Sequence, residues 1–290
     1  MGISILLFII GLAVGSFLNV LAIRYDPDRP IFRAQSLLGR SHCPHCKRTL
    51  RWYELVPLIS FLVQWGRCRS CGIRLSLQYP LVELITGILF VAVPLKLVAL
   101  HAFELRVGDA SPWFFGMVGI YLMLAATLVF ISAVDARLTI IPNQSNLLIA
   151  IAGLIVLALT LWLELPDKSF LAHYSWLFGF EDSVIARHIV GMLFGVAFFG
   201  VIVFLSRGRG MGMGDVKLAG ALGLLFGWPD IALVSFVAFI LGGIFGILVL
   251  MRGTKTLKSA VPFGPFIAAG ALGVFFCGEA IMRWYFTLFP

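Results

Sequence analysis

Apolar runs about as long as a bilayer's hydrocarbon core requires of a helix, roughly 20 residues, alternate with short polar stretches along the whole chain. They predict membrane spans near 3–23, 79–100, 116–134, 145–163, 187–205, 216–229, 231–251 and 263–286. The sixth is short for a full crossing. Seven spans with one re-entrant segment is the alternative, because Gly-rich backbone is tolerated at membrane depth where it lines a cavity. The expected class is an all-α polytopic membrane protein of about eight transmembrane helices, with a small loop domain between the first two. No repeat, heptad or low-complexity tract interrupts this pattern. The opening run, Met1 to Ile23, has no basic residue ahead of it and no small-residue cleavage site, so it is expected to persist as the first helix.

Composition agrees: 60% hydrophobic and 12% charged residues, with a mean hydropathy of +1.01 over 290 residues, exclude an ordinary water-soluble domain. A net charge of +8 raises the question of a nucleic-acid partner, but its position answers it. The stretch 24–78 holds ten basic side chains against three acids, so nearly all the excess lies in one loop, and the retention of basic loops in the cytoplasm explains it without a polyanion. The loops at 206–217 (Arg207, Arg209, Lys217) and 252–258 (Arg252, Lys255, Lys258) are basic too, and eight spans put all three on one side. The loops at 101–115 (Glu104, Asp109, one Arg106) and 164–186 (Glu164, Asp167, Glu181, Asp182 against Lys168) are acidic and are expected outside, with both termini. Three domains are expected: 1–23 as first helix, 24–78 as a cytoplasmic loop domain, and 79–290 as a multi-spanning domain.

Within the first loop, Cys43-Pro-His-Cys46 and Cys68-Arg-Ser-Cys71 form two Cys-x-x-Cys knuckles 21 residues apart. Four thiolates so spaced suit a tetrahedral structural zinc, whose binding free energy contributes directly to folding. The loop has only a small apolar centre, Val56 to Trp65, so a metal would supply what the core lacks. A disulfide or redox pair is the alternative, opposed by reduced cytoplasmic thiols and by the absence of a strand-helix context. His42 and His45 read as solvated neighbours, and Cys277, alone in the last span, as a small buried hydrophobe.

Acids near the predicted membrane faces are few. Asp135 ends the third span and Asp215 opens the sixth, the latter after Gly210-Met-Gly-Met-Gly214. An ionisable group at such a place is costly and points to function. Both lie at the expected cytoplasmic face, so packing of the two spans would join their carboxylates. Two carboxylates in one site cannot both ionise cheaply, which is the chemistry of an aspartic protease. Helix dipoles favour Asp135, near a C-terminus, as the protonated acid, and Asp215, near an N-terminus, as the ionised base. The glycines are expected to adopt φ > 0 and to admit a substrate strand. The plainer readings are an N-cap for Asp215 and a juxtamembrane anchor for Asp135 with Arg137. A nucleotide-binding turn is opposed by the lack of a preceding strand. Glu83 and Glu279 are read as snorkelling or paired side chains.

These residues resemble one family. Gly212-Met-Gly214-Asp215-Val-Lys217-Leu, with Asp135 upstream of Ile-Pro-Asn, is similar to the type IV prepilin peptidases, which are Gly-x-Gly-Asp intramembrane aspartic proteases. Gly15-Ser-Phe-Leu-Asn-Val20, the double Cys-x-x-Cys loop, Tyr79-Pro-Leu-Val-Glu83 and Pro262-Phe-Gly-Pro265 extend the resemblance over nearly the whole chain. It implies cleavage of the basic leader of type IV prepilins or type II secretion pseudopilins at the cytoplasmic face of the bacterial inner membrane. It implies Asp135 and Asp215 as the catalytic pair, with Gly212, Gly214 and Lys217 shaping the substrate site. Members with the cysteine loop also methylate the new N-terminal amine with S-adenosylmethionine, and Gly66 and Arg67 match positions associated with that activity. Two other classes stand beside this reading. A proton- or cation-coupled transporter is opposed by the lack of a repeat and of midplane acids, and a structural subunit with a zinc docking module predicts tolerance of Asp→Asn changes at 135 and 215.

Overall fold

The computed structural model describes residues 2–27, 39–43, 45–102, 112–165, 167–179, 183–251 and 261–288. The charged residues of the predicted 101–115 and 252–258 loops lie outside them, as do Asp28, Arg29, Arg33, Pro166, Glu181 and Asp182. The described residues form nine α-helices: α1 Gly2–Arg24, α2 Ile59–Val63, α3 Gln78–Leu100, α4 Pro112–Leu138, α5 Asn143–Trp162, α6 Val184–Leu205, α7 Met213–Phe226, α8 Asp230–Met251 and α9 Gly264–Leu288. All but α2 and α7 are long and apolar enough to cross a membrane. The chain packs as two units, Met1–Val134 and Asp135–Pro290, divided near the end of α4.

In the first unit, α1 and α3 meet along a seam of small residues. A Cβ on Gly11 would sit 2.7 Å from Phe90 Cβ, and one on Gly15 would sit 2.8 Å from Glu83 Cα. Asn19 Nδ2 donates to the Tyr79 carbonyl at 3.0 Å. As the α1 number rises from 11 through 15 to 19, its partners on α3 fall toward 79, so the helices run antiparallel with their backbones close, as small residues allow in lipid. The loop between them carries α2 and the cysteine knuckles. Its expected apolar centre is not a core: Ile59, Leu62 and Val63 on α2 and the adjacent Trp65 are exposed. Five residues make too short a helix to turn an apolar face inward over any length.

The second unit is organised around α7. Eleven of its fourteen residues are buried. At 1.5 Å per residue the helix is about 21 Å long, too short to cross a bilayer alone. It nevertheless reverses the chain. A Cβ on Gly195 would lie 2.4 Å from the Ala219 carbonyl oxygen, and one on Gly191 would lie 2.5 Å from that of Gly223. At the far end Trp228 N–H donates to the Arg187 carbonyl at 2.9 Å. Thus α7 runs antiparallel to α6 and returns the chain to the start of α6, where α8 begins. The predicted sixth span is a short buried helix, so among the described residues seven helices qualify as crossings against the eight expected. Continuing the register sets Asp215 level with Phe199, six residues or about 9 Å inward from the end of α6.

Opposite Asp215, the starts of α6 and α8 are tied by buried charge. Arg187 pairs with Asp167 (2.6 Å) and Asp230 (3.8 Å), and Asp230 Oδ1 also accepts from Ser169 Oγ and Phe170 N–H, each at 3.0 Å. Burial of such charges is tolerated only when they are paired in this way. Local signals set the helix ends: Ser183 Oγ accepts the Ala186 N–H at 3.2 Å as an N-cap, and Gly227, at φ 76, closes α7. On α9 the buried stripe is Gly264, Ile267, Ala271, Val274, Gly278 and Met282. Cys277 falls on the other face and is exposed, contrary to its expected burial. Glu279 pairs with Arg283 one turn on, at 2.5 Å.

Candidate functional site

The residues singled out in the sequence fall at two places among the described residues, one in each unit. In the second unit, α4 ends as Thr139 takes a left-handed φ of 54 and returns its N–H to the Asp135 carbonyl at 2.8 Å. That turn fixes Asp135, 3% exposed, three residues before the end of the helix. Its Oδ2 accepts the Gly264 N–H at 2.8 Å, and a Cβ on Gly264 would collide with that same oxygen at 2.8 Å. Glycine is needed there to let the first residue of α9 reach the carboxylate. Phe263 is held by Phe239 at 5.0 Å and Phe199 at 6.2 Å, so Gly264 has a defined position.

Asp215 sits in the first turn of α7 with its Oδ2 accepting the Gly212 N–H at 3.1 Å. The N-cap position belongs to Gly212, and Asp215 supplies the side chain that reaches back to it. Asp215 is buried at 7% exposure, and Gly214 beside it packs on Ile141, just after the helix that bears Asp135, so the segments carrying the two aspartates lie together. Each aspartate has its Oδ2 held by the N–H of a glycine.

The glycines work differently from expectation. Gly210, Gly212 and Gly214 all avoid positive φ, Gly212 lying at −89, and in this loop only Gly208 (φ 72) and Arg207 (φ 51) are left-handed. Gly214 instead permits close approach, since a Cβ there would lie 3.1 Å from Ile141 Cβ. Its carbonyl accepts from Asn146 Nδ2 at 3.5 Å. Lys217 is exposed and donates from Nζ to Asn143 Oδ1 at 2.9 Å, joining α7 to the start of α5. Sequence reasoning missed the parts played by Gly264, Asn143 and Asn146. The Ile-Pro-Asn and Pro-Phe-Gly-Pro stretches were visible, but a backbone N–H reaching over 129 residues has no sequence signature.

In the first unit, the sulfurs of Cys43, Cys46, Cys68 and Cys71 all lie within 4.8 Å of one another, and Cys43 and Cys71 are 3.9 Å apart. A tetrahedral ion with metal–sulfur bonds of about 2.3 Å sets sulfurs about 3.8 Å apart, so the cluster fits a metal of that kind. All four cysteines are free. The knuckles are near copies. Cys43 N–H bonds to the Arg48 carbonyl and Lys47 N–H to the Cys43 carbonyl, each at 3.0 Å, and Cys68 with Ile73 and Gly72 with Cys68 repeat this at 2.9 Å. The fifth residue of each is left-handed, Lys47 at φ 59 and Gly72 at φ 69. Backbone N–H groups of Cys71 and Ser70 lower the Cys68 thiol to about 6, while, against the Ile73 N–H, burial and the neighbouring thiols push Cys71 up to about 11, so the first thiolate of the cluster falls on Cys68. His42 and His45 are exposed and outside the cluster.

Beside the cluster is a cavity of about 370 Å³ whose lining includes Val20, Arg24, Cys43, Phe61, Tyr79 and Glu83. Gly66 adjoins its wall: at φ 64 it closes the turn after α2, and a Cβ there would meet Phe61 Cζ at 2.9 Å. Arg67 follows, bridged to Arg74.

Residues 9–97 match the family model described as the bacterial peptidase A24 N-terminal domain, and residues 122–247 that of the type IV leader peptidase family. A protein of Bacillus subtilis is 31% identical over 283 residues, 98% of either chain. One of Aeromonas hydrophila is 30% identical, covering 98% of this chain and 94% of its own. One of Burkholderia pseudomallei is 32% identical over 93% of this chain and 84% of its own. All three bear the name prepilin leader peptidase/N-methyltransferase. No solved structure matches. On this near full-length identity, with both family domains in order, the chain belongs to the type IV leader peptidase family.

Proposed function

We propose that the chain is a membrane aspartic endopeptidase that removes the leader of type IV prepilins or type II secretion pseudopilins and then N-methylates the new N-terminal residue. The observation that supports the peptidase half is the close packing of Gly214, beside Asp215, on Ile141, just after the helix of Asp135, with both aspartates buried and each Oδ2 held by a glycine N–H. Ionised Asp215 takes a proton from a water as its oxygen attacks the scissile carbonyl carbon, while Asp135 gives its proton to the carbonyl oxygen. In collapse the C–N bond breaks, Asp215 passes its proton to the departing amine, and the hydroxyl proton returns to Asp135. Asp135 near a helix C-terminus and Asp215 in a first turn suit these roles by their dipoles. Gly212 and Gly214 shape the substrate edge, and Lys217 fixes the adjoining start of α5 through Asn143.

The methyltransferase half is supported by the relatives' shared name and by the first unit. Its four thiolates would hold a structural zinc, and S-adenosylmethionine, when bound, would supply the methyl group. Gly66 and Arg67 fall beside this machinery. We assign the protein to the bacterial inner membrane with the peptidase site at the cytoplasmic face and both termini periplasmic. Arg137, two residues after Asp135, and Arg207 and Arg209, in the loop that leads to Asp215, support that orientation by their place in the chain.

The test mixes purified protein in detergent with a prepilin, with and without S-adenosylmethionine, and reads the products by mass spectrometry. Wild type should release the leader and, with the donor, add a methyl group to the new terminus. Asp135→Asn and Asp215→Asn should each cut the cleavage rate by about 10²–10⁴-fold. Wild-type rates in both variants would remove the aspartic mechanism.

A further inference from the structure

We infer that the cavity beside the cysteine cluster is the binding site of the methyl donor, an adenosyl sulfonium cation, and that Glu83 is the residue that recognises its positive charge. The inference rests on the methyltransferase reading above. A cavity of about 370 Å³ is within the range of small-molecule sites. Phe61 and Tyr79 line it, and aromatic rings stack on a purine or attract a cation. Arg24 and Glu83 bring opposite charges to its lining, as a ligand with both a carboxylate and cationic groups requires.

Two glutamates reach the cavity, and only one has charge to spare. Glu54 is bound by Arg48 through both oxygens, at 3.2 and 3.0 Å, and accepts the Arg51 N–H at 2.8 Å. Glu83 is 7% exposed and accepts the Leu58 N–H at 2.9 Å, with Ser16 beside it. Among the described residues no ion pair neutralises it. A buried carboxylate without a cation is unfavourable, and a cationic ligand in the adjoining space offsets that cost. The same carboxylate steadies Leu58, which opens α2 at a left-handed φ of 57. Glu83 thereby links the position of α2, and with it Phe61, to the cavity's charge.

The test measures binding, apart from turnover, on the zinc-loaded full chain in detergent. Equilibrium dissociation constants are obtained for S-adenosylmethionine and for S-adenosylhomocysteine, whose thioether lacks the sulfonium charge. Glu83→Gln keeps an acceptor for Leu58 N–H but removes the charge. It should weaken S-adenosylmethionine about tenfold or more while changing S-adenosylhomocysteine by less than about threefold. Val20→Phe, which fills the cavity, should weaken both by at least about tenfold. Zinc content equal to that of wild type reports a folded module in each variant. Unchanged affinity for S-adenosylmethionine in both variants, or equal loss of both ligands in Glu83→Gln, overturns the assignment even where wild type binds the donor and methylates the cleaved product. A wild type that neither binds the donor nor methylates removes the methyltransferase reading together with it.

Discussion

At the scale of single residues, Asp215 combines a functional position with an unfavourable one. It is 7% exposed, and burying a carboxylate is costly. Asp215→Asn should remove that charge while keeping an acceptor for the Gly212 N–H. Thermal unfolding in detergent should find the variant at least as stable as wild type although leader cleavage is lost. A variant less stable than wild type would mean that the carboxylate serves the fold. Two acids at helix ends were legible because the sequence of a membrane helix has so few of them. The groups that hold them were not, since Gly212 and Gly264 act through backbone N–H groups.

At the scale of elements, the position of Asp215 depends on how closely α7 approaches α6. Gly191 and Gly195 face Gly223 and Ala219 with no room for a side chain between them. Gly195→Leu should force the helices apart, cutting leader cleavage at least about tenfold and lowering the unfolding temperature, because overpacking costs about 1–3 kcal/mol or more. Gly200→Leu, on the same helix with open space about it, is the control and should change neither. The apolar runs announced the long helices because length and hydropathy are properties of the sequence. They set α7 three residues late, at 216–229 instead of Met213–Phe226, and left open whether it crosses, since a buried helix and a crossing one are equally apolar. The φ > 0 expectation at Gly212 and Gly214 failed for a related reason: a glycine required by a neighbour's proximity looks the same in sequence as one required by a turn.

At the scale of the whole molecule, the proposed peptidase residues all belong to Asp135–Pro290, while the cysteine cluster and the cavity belong to Met1–Val134. Cys43→Ser should therefore lose zinc and N-methylation, read by metal analysis and mass spectrometry, while leader cleavage stays within about threefold of wild type. Parallel loss of both activities would mean that the two units do not work independently. The sequence by itself determined the membrane class, the long helices, the four clustered cysteines and the two acids, because these depend on composition, local spacing and the cost of charge in lipid. Tertiary structure alone decided that α7 is buried and antiparallel to α6, that Gly264 holds Asp135, and that Glu83 faces a cavity. Each of these depends on backbones brought together from distant parts of the chain, and no local pattern of residues encodes that approach.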